Sequence, residues 1–228
     1  MNANIEATKE INKMNIDKTE TNKKIYIIIK RFVDIIGALV GCIILLPLTL
    51  VIWIANMLAK DNGPVFYVQK RIGKNGKSFK MYKYRSMVVN ADKKLKRYLL
   101  DNPEANKEFM EFRKLKDDPR ITPVGKFIRK TSLDEFPQFI NVLKGDMSLV
   151  GPRPYLPREK RVMGKYYKEI IKVKPGLTGP WQVSGRSEID FDDRLEIEAS
   201  YGTNMNLKED INILLKTILA VLNKKGAN

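Results

Sequence analysis

The longest hydrophobic stretch runs from Ile35 to Ala59, 25 residues without a charge. At 1.5 Å per residue a straight helix of that length spans about 38 Å, more than the ~30 Å of a bilayer core. Pro47 stands at its centre and has no N–H, so the Ile43 carbonyl loses its helical partner. Both flanks are basic, with Lys23, Lys24, Lys30 and Arg31 before the run and Lys60, Lys70, Arg71 and Lys74 after it. Basic flanks favour the cytoplasmic side, and a spanning helix would leave one set on the wrong side. A helix–break–helix that enters and leaves one leaflet accommodates both features. The expectation is therefore a re-entrant membrane helix over residues 25–60, broken at Pro47. Spanning helices also tolerate proline, so that alternative stays open. Residues 1–24 are polar and weakly patterned, a tail or a weak helix.

Past Ala59 the period changes. Val65–Gln69 and Ser78–Arg85 read as strands, and the Asn75-Gly76 pair between them predicts a β-hairpin. On the second strand Phe79, Met81, Lys83 and Arg85 share a face. Ala91 to Asp118 is lysine-rich and helical, interrupted at Asn102-Pro103. Its small apolar faces are Leu95, Tyr98 and Leu99, then Phe109, Phe112 and Leu115. Phe136, Phe139, Ile140 and Leu143 recur at helical spacing, and Gly145 ends that helix. Leu207 to Lys225 is amphipathic through Ile211, Leu214, Leu215, Ile218, Leu219 and Leu222, a face that either closes the core or lies in a membrane interface. The expected fold class is α+β, mostly helical. A small β-hairpin and amphipathic interfacial helices surround a compact catalytic domain over residues 61–228.

Composition narrows the chemistry. The formal net charge of +16 points to anionic partners: nucleic acid, an anionic membrane surface or phosphorylated substrates. Cys42 is the single cysteine, which excludes an intramolecular disulfide and fits a reduced cytosolic setting. There is no histidine, so an enzyme built on this chain must use carboxylates, lysine, arginine, tyrosine or hydroxyls.

Candidate chemistry centres on Arg129 to Pro137. Asp134 and Glu135 lie side by side after two cations, at what reads as a helix start, where an ionised carboxylate gains about 0.3–1 kcal/mol. Ser132 to Glu135 also spells a capping box, and Asp134 is itself a candidate N-cap. Pro137 favours Asp134 as the cap, because Pro137 then falls in the tolerated first turn. Pro152 and Pro154 stiffen the backbone on both sides of Arg153, an arrangement suited to bidentate phosphate recognition or to a rigid surface turn. Lys83 and Arg85 are the hairpin cations best suited to meet a phosphate. Lys174 to Arg186 is glycine-rich, which lets a backbone approach a ligand closely. Within it Trp181 and Gln182 are candidates to stack on and hydrogen-bond a base, with core closure the plainer reading of Trp181.

Taken together these segments resemble the bacterial sugar transferases, the monotopic phosphoglycosyl transferases. They look closest to the branch that moves galactose phosphate to undecaprenyl phosphate. The resemblance rests on Lys30 to Asp34, Phe79 to Met87, Asp118 to Arg120, Arg129 to Pro137, Asn141 to Pro154, Pro175 to Gly179 and Trp181 to Arg186. It implies transfer of a sugar-1-phosphate from a UDP-sugar to a polyprenyl phosphate with release of UMP. The site would lie on the cytoplasmic face of the bacterial inner membrane, opening capsule, exopolysaccharide or O-antigen synthesis. Galactose is the implied sugar, with glucose and an N-acetylhexosamine as rivals. It further implies Mg²⁺ and a covalent phosphosugar intermediate, with Asp134 as nucleophile and Glu135 assisting the proton or the metal. Arg129, Arg153 and Arg186 match phosphate-binding positions, with Lys83 or Arg85 a further candidate. Leu46-Pro47 stands where the family has Ser-Pro, and Pro180 where Leu or Trp is usual. Larger members carry several N-terminal transmembrane helices, and this chain is expected to hold the catalytic unit alone. Membrane lipid is an expected partner, a homo-oligomer is admitted, and nucleic acid is not expected. The two rival classes are a membrane-tethered nucleic-acid-binding protein and a non-catalytic scaffold. The first lacks aromatics interleaved with its basic stretch and does not explain an acidic pair behind two cations, and the second would lose nothing when Asp134 is changed to Asn.

Overall fold

In the computed structural model, which describes residues 2–112, 114–184 and 189–222, the apolar run belongs to one long helix, α1 (Asn2–Leu58). The helix continues through Pro47, so the expected break is absent. Tertiary contacts hold it on both sides of the proline and offset the lost hydrogen bond. Leu45 and Ile52 are buried in the core, and the Thr49 hydroxyl lies 2.6 Å from that of Tyr84. Tyr26, Lys30, Asp34, Ala38, Leu45, Ile52 and Asn56 follow one face of α1, and their contacts and burial dock it on the rest of the chain. The opposite face leaves Phe32, Ile36, Ile43, Leu46, Leu50 and Trp53 exposed.

The hairpin forms as its turn residues demand. Strands β1 (Phe66–Ile72) and β2 (Ser78–Tyr84) pair antiparallel from Phe66↔Tyr84 to Ile72↔Ser78. Asn75 and Gly76 both take positive φ, 57° and 77°, as a type I′ turn requires. Helices α2 (Ala91–Asp101) and α3 (Pro103–Phe112) meet at Asn102, and neither contributes a buried residue. Helix α4 (Pro123–Lys130) opens with Pro123 and is capped by Thr122, whose hydroxyl accepts the Gly125 N–H at 2.9 Å. Helix α5 (Gln138–Lys144) stops at Gly145, φ 86°.

A second sheet had no counterpart in the sequence pattern. Strands β3 (Ser148–Val150) and β4 (Gly176–Thr178) pair parallel, Ser148↔Gly176 and Val150↔Thr178. Gly151 and Gly176 lie backbone against backbone, and a Cβ on either would strike the other segment's main chain. This contact locks the Arg153 loop to the Pro175–Gly179 loop. The chain closes with the short helices α6 (Tyr167–Ile170) and α7 (Pro180–Val183), then α8 (Phe191–Asn204) and α9 (Leu207–Leu222). Helix α9 turns Asp210 and Ile213 inward, while Ile211, Leu215, Ile218 and Leu219 of its expected face are exposed. The main core joins α1, β2, α5, β3, α8 and α9 through Ala38, Met81, Val142, Leu149, Tyr201 and Ile213.

Candidate active site

Asp134 and Glu135 do not cap a helix. They sit in a single 3₁₀ turn, Leu133–Glu135, ahead of α5. Ser132 enters that turn with φ 56° and makes no side-chain cap bond, so the capping box is not formed. Pro137 stands at the N-cap of α5, again without a side-chain bond. A residue lacking an N–H is thereby placed outside the helix, where nothing is lost. Leu133 and Phe136 flank the acids and pack on the core of Leu45, Ile52, Tyr84 and Ile128. The carboxylates are thus held on a turn pinned from both sides, with a positive-φ serine at its entrance, a backbone state tolerated when packing imposes it.

Lys83 completes the cluster. Its Nζ lies 2.8 Å from Glu135 Oε1 and 3.7 Å from Asp134 Oδ2. Asn141, fully buried on α5, fixes this register: its amide donates to the Lys80 carbonyl at 2.7 Å and accepts the Tyr82 N–H at 3.0 Å. Strand β2 is thereby bolted to the helix that follows the acids. The two carboxyls are pushed apart. Burial raises Asp134 above the usual aspartate range, against the opposing charge of Lys83, and Glu135 raises it further. Burial also acts upward on Glu135, but the Lys83 charge and hydrogen bond, with Arg153 and Arg71, outweigh it and hold that carboxyl below its usual range.

A cleft of about 970 Å³ opens over the pair. Asp134, Glu135, Lys83, Arg85, Arg129 and Arg153 all line it. Arg85 is nevertheless largely engaged: it is buried, pairs with Asp61 at 2.9 Å and donates to the Pro64 and Met87 carbonyls. Trp181 and Gln182 lie in a smaller crevice of about 80 Å³ that shares Lys83, Glu135 and Arg153 with the cleft. The Trp181 ring carries the Arg194 guanidinium 3.9 Å from its centroid. Arg186 lies outside the described residues. The crevice also contains Arg71, which the sequence pattern left among the basic flanks. Arg71 is buried, donates to Pro154 O at 3.0 Å and Gln69 Oε1 at 2.6 Å, and is pushed down to about 10 by burial and by neighbouring Arg153. Glu198 was missed as well. Fully buried on α8, it accepts the Arg153 N–H at 3.0 Å and the Tyr155 hydroxyl at 2.5 Å.

A family model described as bacterial sugar transferase matches residues 25–224. The chain belongs to the bacterial sugar transferase family. It is 47% identical over 202 residues to the undecaprenyl-phosphate galactose phosphotransferase of Salmonella typhimurium, covering 87% of this chain and 41% of that protein. To the galactosyl transferase CpsE of Streptococcus agalactiae it is 45% identical over 203 residues, covering 89% of this chain and 44% of that one. With the exopolysaccharide production protein ExoY of Sinorhizobium fredii it shares 40% identity over 198 residues, 87% of either chain. The chain therefore spans less than half the length of the first two relatives and most of the third.

In this bacterial sugar transferase the acidic pair presents carboxylate oxygens of the type a divalent cation binds. Asp134 Oδ2 and Glu135 Oε1 converge on one cationic position, taken by Lys83 Nζ. Mg²⁺ is commonly held by one or two carboxylates, its remaining positions filled by water and substrate phosphate. Asp134 and Glu135 fit that donor set. Among the described residues no cluster of three or more acidic, histidine or cysteine ligands forms a closed cage.

Proposed function

We propose that the chain is a phosphoglycosyl transferase that moves a hexose-1-phosphate from a UDP-sugar, with UDP-galactose as the first choice, to undecaprenyl phosphate. The observation that carries this reading is the Asp134–Glu135 pair, held against Lys83 on the floor of a cleft that Arg129 and Arg153 line. An ionised Asp134 carboxylate attacks the phosphorus bearing the sugar. A P–O bond forms to Asp134, the bond to UMP breaks, and UMP leaves. The phosphate oxygen of the lipid then attacks the same phosphorus and displaces Asp134, giving the diphosphate-linked lipid sugar. Arg129, Arg153 and Arg186 neutralise the phosphoryl oxygens, with Lys83 beside them. Arg85, held by Asp61, shapes the wall. Trp181 and Gln182 border the nucleotide end. Mg²⁺ held by Asp134 and Glu135 would supply charge neutralisation at the leaving phosphate.

The acceptor's isoprenoid tail requires a membrane surface. The exposed apolar face of α1 supplies one that fits, and Glu20–Leu58 is long and apolar enough to cross a bilayer. Because α1 docks on the catalytic domain from Tyr26 to Asn56, we place the helix in one leaflet, on the cytoplasmic side of the bacterial inner membrane, rather than across it. The test is UMP release in nanodiscs with undecaprenyl phosphate and Mg²⁺, using UDP-galactose, UDP-glucose and two UDP-N-acetylhexosamines in turn. Lipid- and metal-dependent release from one donor, absent in Asp134→Asn, names the sugar. Release from none by a folded protein rejects the reading.

A further inference from the structure

A second cavity, of about 370 Å³, opens between α1, the hairpin turn, the segment ahead of β4 and the end of α8. It shares no lining residue with the cleft over Asp134 or with the crevice beneath it. Its walls carry Lys23, Lys30 and Arg31 from α1, Lys74 from the hairpin turn, and Lys172 and Lys174 from the segment ahead of β4. Asp34 is the one acid among the lining residues, and it already accepts the Ser148 hydroxyl and the Leu149 N–H. Three of the cations are matched. Lys30 pairs with Asp210 at 2.7 Å and Lys172 with Glu169 at 2.6 Å, while Arg31 donates to the Val142 and Leu143 carbonyls. Lys23, Lys74 and Lys174 have no carboxylate at ion-pair distance among the described residues.

Lys174 is the most confined of the three. The position a Cβ on Gly145 would occupy lies 3.4 Å from Lys174 Nζ and 3.5 Å from Arg31 Nη2, so two cationic groups crowd one point. Burial, then Arg31 and Lys74, outweigh the opposing charges of Asp34 and Asp146 and hold the Lys174 ammonium below the usual lysine range. A concave site with surplus positive charge, drawn from separate segments of the chain, favours a multiply charged anion over a single carboxylate. We propose that this cavity binds a phosphate-bearing anion at a site separate from the reacting carboxylates, with Lys74 and Lys174 as its principal cations. Two sources share that chemistry. The lining stretch Lys23–Arg31 directly precedes the apolar run, which suits an anionic lipid headgroup. A soluble phosphate ester would meet the same ammonium groups.

The test measures binding rather than turnover, so it stands or falls apart from the transferase reading. Full-length protein is titrated with radiolabelled inorganic pyrophosphate in detergent, and with phosphatidic acid in phosphatidylcholine nanodiscs. UMP binding reports on the cleft. The double variant Lys74→Gln/Lys174→Gln is expected to bind one or both phosphate probes about tenfold or more weakly, with UMP binding unchanged. Lys74→Arg/Lys174→Arg, which keeps the charge, retains binding. A loss confined to phosphatidic acid assigns a lipid headgroup, and a loss confined to pyrophosphate assigns a soluble ester. Equal binding by wild type and the glutamine variant, or binding of neither probe by wild type outside the cleft, overturns the proposal.

Discussion

The Asp134–Glu135 pair and Glu198 both adjoin Arg153, and their surroundings differ. Asp134 and Glu135 line an open cleft, with Lys83 at 2.8 Å from one and 3.7 Å from the other. Glu198 lies behind the loop, fully buried, with the Arg153 N–H on one oxygen and the Tyr155 hydroxyl on the other. Burial raises both Asp134 and Glu198, and in neither case do the neighbouring cations reverse it. The difference is access. The cleft pair has oxygens that a ligand can reach, whereas both Glu198 oxygens are taken by the chain itself. A carboxylate with free oxygens beside a cation can do chemistry. One whose oxygens are satisfied by a loop can only hold that loop in place.

The contrast breaks most visibly at Asp134. Asp134→Asn keeps the shape and removes the carboxylate we propose as the nucleophile, so kcat should fall about a thousandfold or more while the melting temperature moves by no more than about 2 °C. Loss of activity accompanied by unfolding would move Asp134 to the structural side. Glu198 should behave in the reverse order. Glu198→Ala strands the buried Tyr155 hydroxyl and the half-buried Arg153 N–H, at a cost of about 3 kcal/mol, or a melting temperature lower by about 10 °C. Its pH dependence has a definite sign. The folded state binds the Glu198 proton more tightly than the unfolded chain does, so this group's contribution is fully present below its ordinary value of 4.5 and is lost as pH rises toward the raised value. Glu198→Gln, which cannot ionise, should abolish that slope. The difference in melting temperature between wild type and Glu198→Gln, followed from acid to neutral pH, measures it.

Lys83 tests the electrostatic half of the contrast. Its charge lowers both cleft carboxyls. In Lys83→Gln the Asp134 carboxyl rises further, so the acidic limb of the kcat/KM profile should move to higher pH and the rate at neutral pH should drop about tenfold. A lysine serving only to pack β2 against the turn would leave the limb where it is.

Much of the cleft could be read from the sequence, because its signals are local. Two adjacent acids behind two cations, a proline-bracketed arginine and a strand lysine are visible without a fold, and the structure brings Asp134, Glu135, Lys83, Arg129 and Arg153 to one cleft. The N-cap expected at Asp134 failed because Ser132 turns the backbone to positive φ and ends α4 in a separate turn. The buried carboxylates were illegible for the opposite reason. Glu198 and Asp210 stand in helices rich in other charges, and only the partners arriving from Arg153, Tyr155, Tyr201 and Lys30 make them interior. Likewise β3 and β4 are three residues each, too short for any period to register, and are joined by a glycine contact across the chain. Pro47 misled for a related reason: contacts with Tyr84 and the core hold α1 across it, and no local rule sees them.

The smallest effect separates charge from hydrogen bonding in the buried group. Asp34 on α1 uses a single oxygen, Oδ1, to accept both the Ser148 hydroxyl at 2.9 Å and the Leu149 N–H at 2.8 Å. The carbonyl of an asparagine can accept both in the same way. Asp34→Asn should therefore cost about 1 kcal/mol or less, seen as a shift of a few degrees in melting temperature. Asp34→Ala, which leaves the Leu149 N–H unsatisfied, should cost about two to three times more. If the asparagine variant is as unstable as the alanine one, the negative charge itself anchors α1 among Lys30, Arg31 and Lys174. The buried carboxylates would then hold the fold by charge as well as by acceptance, and their distinction from the cleft pair would rest on access alone.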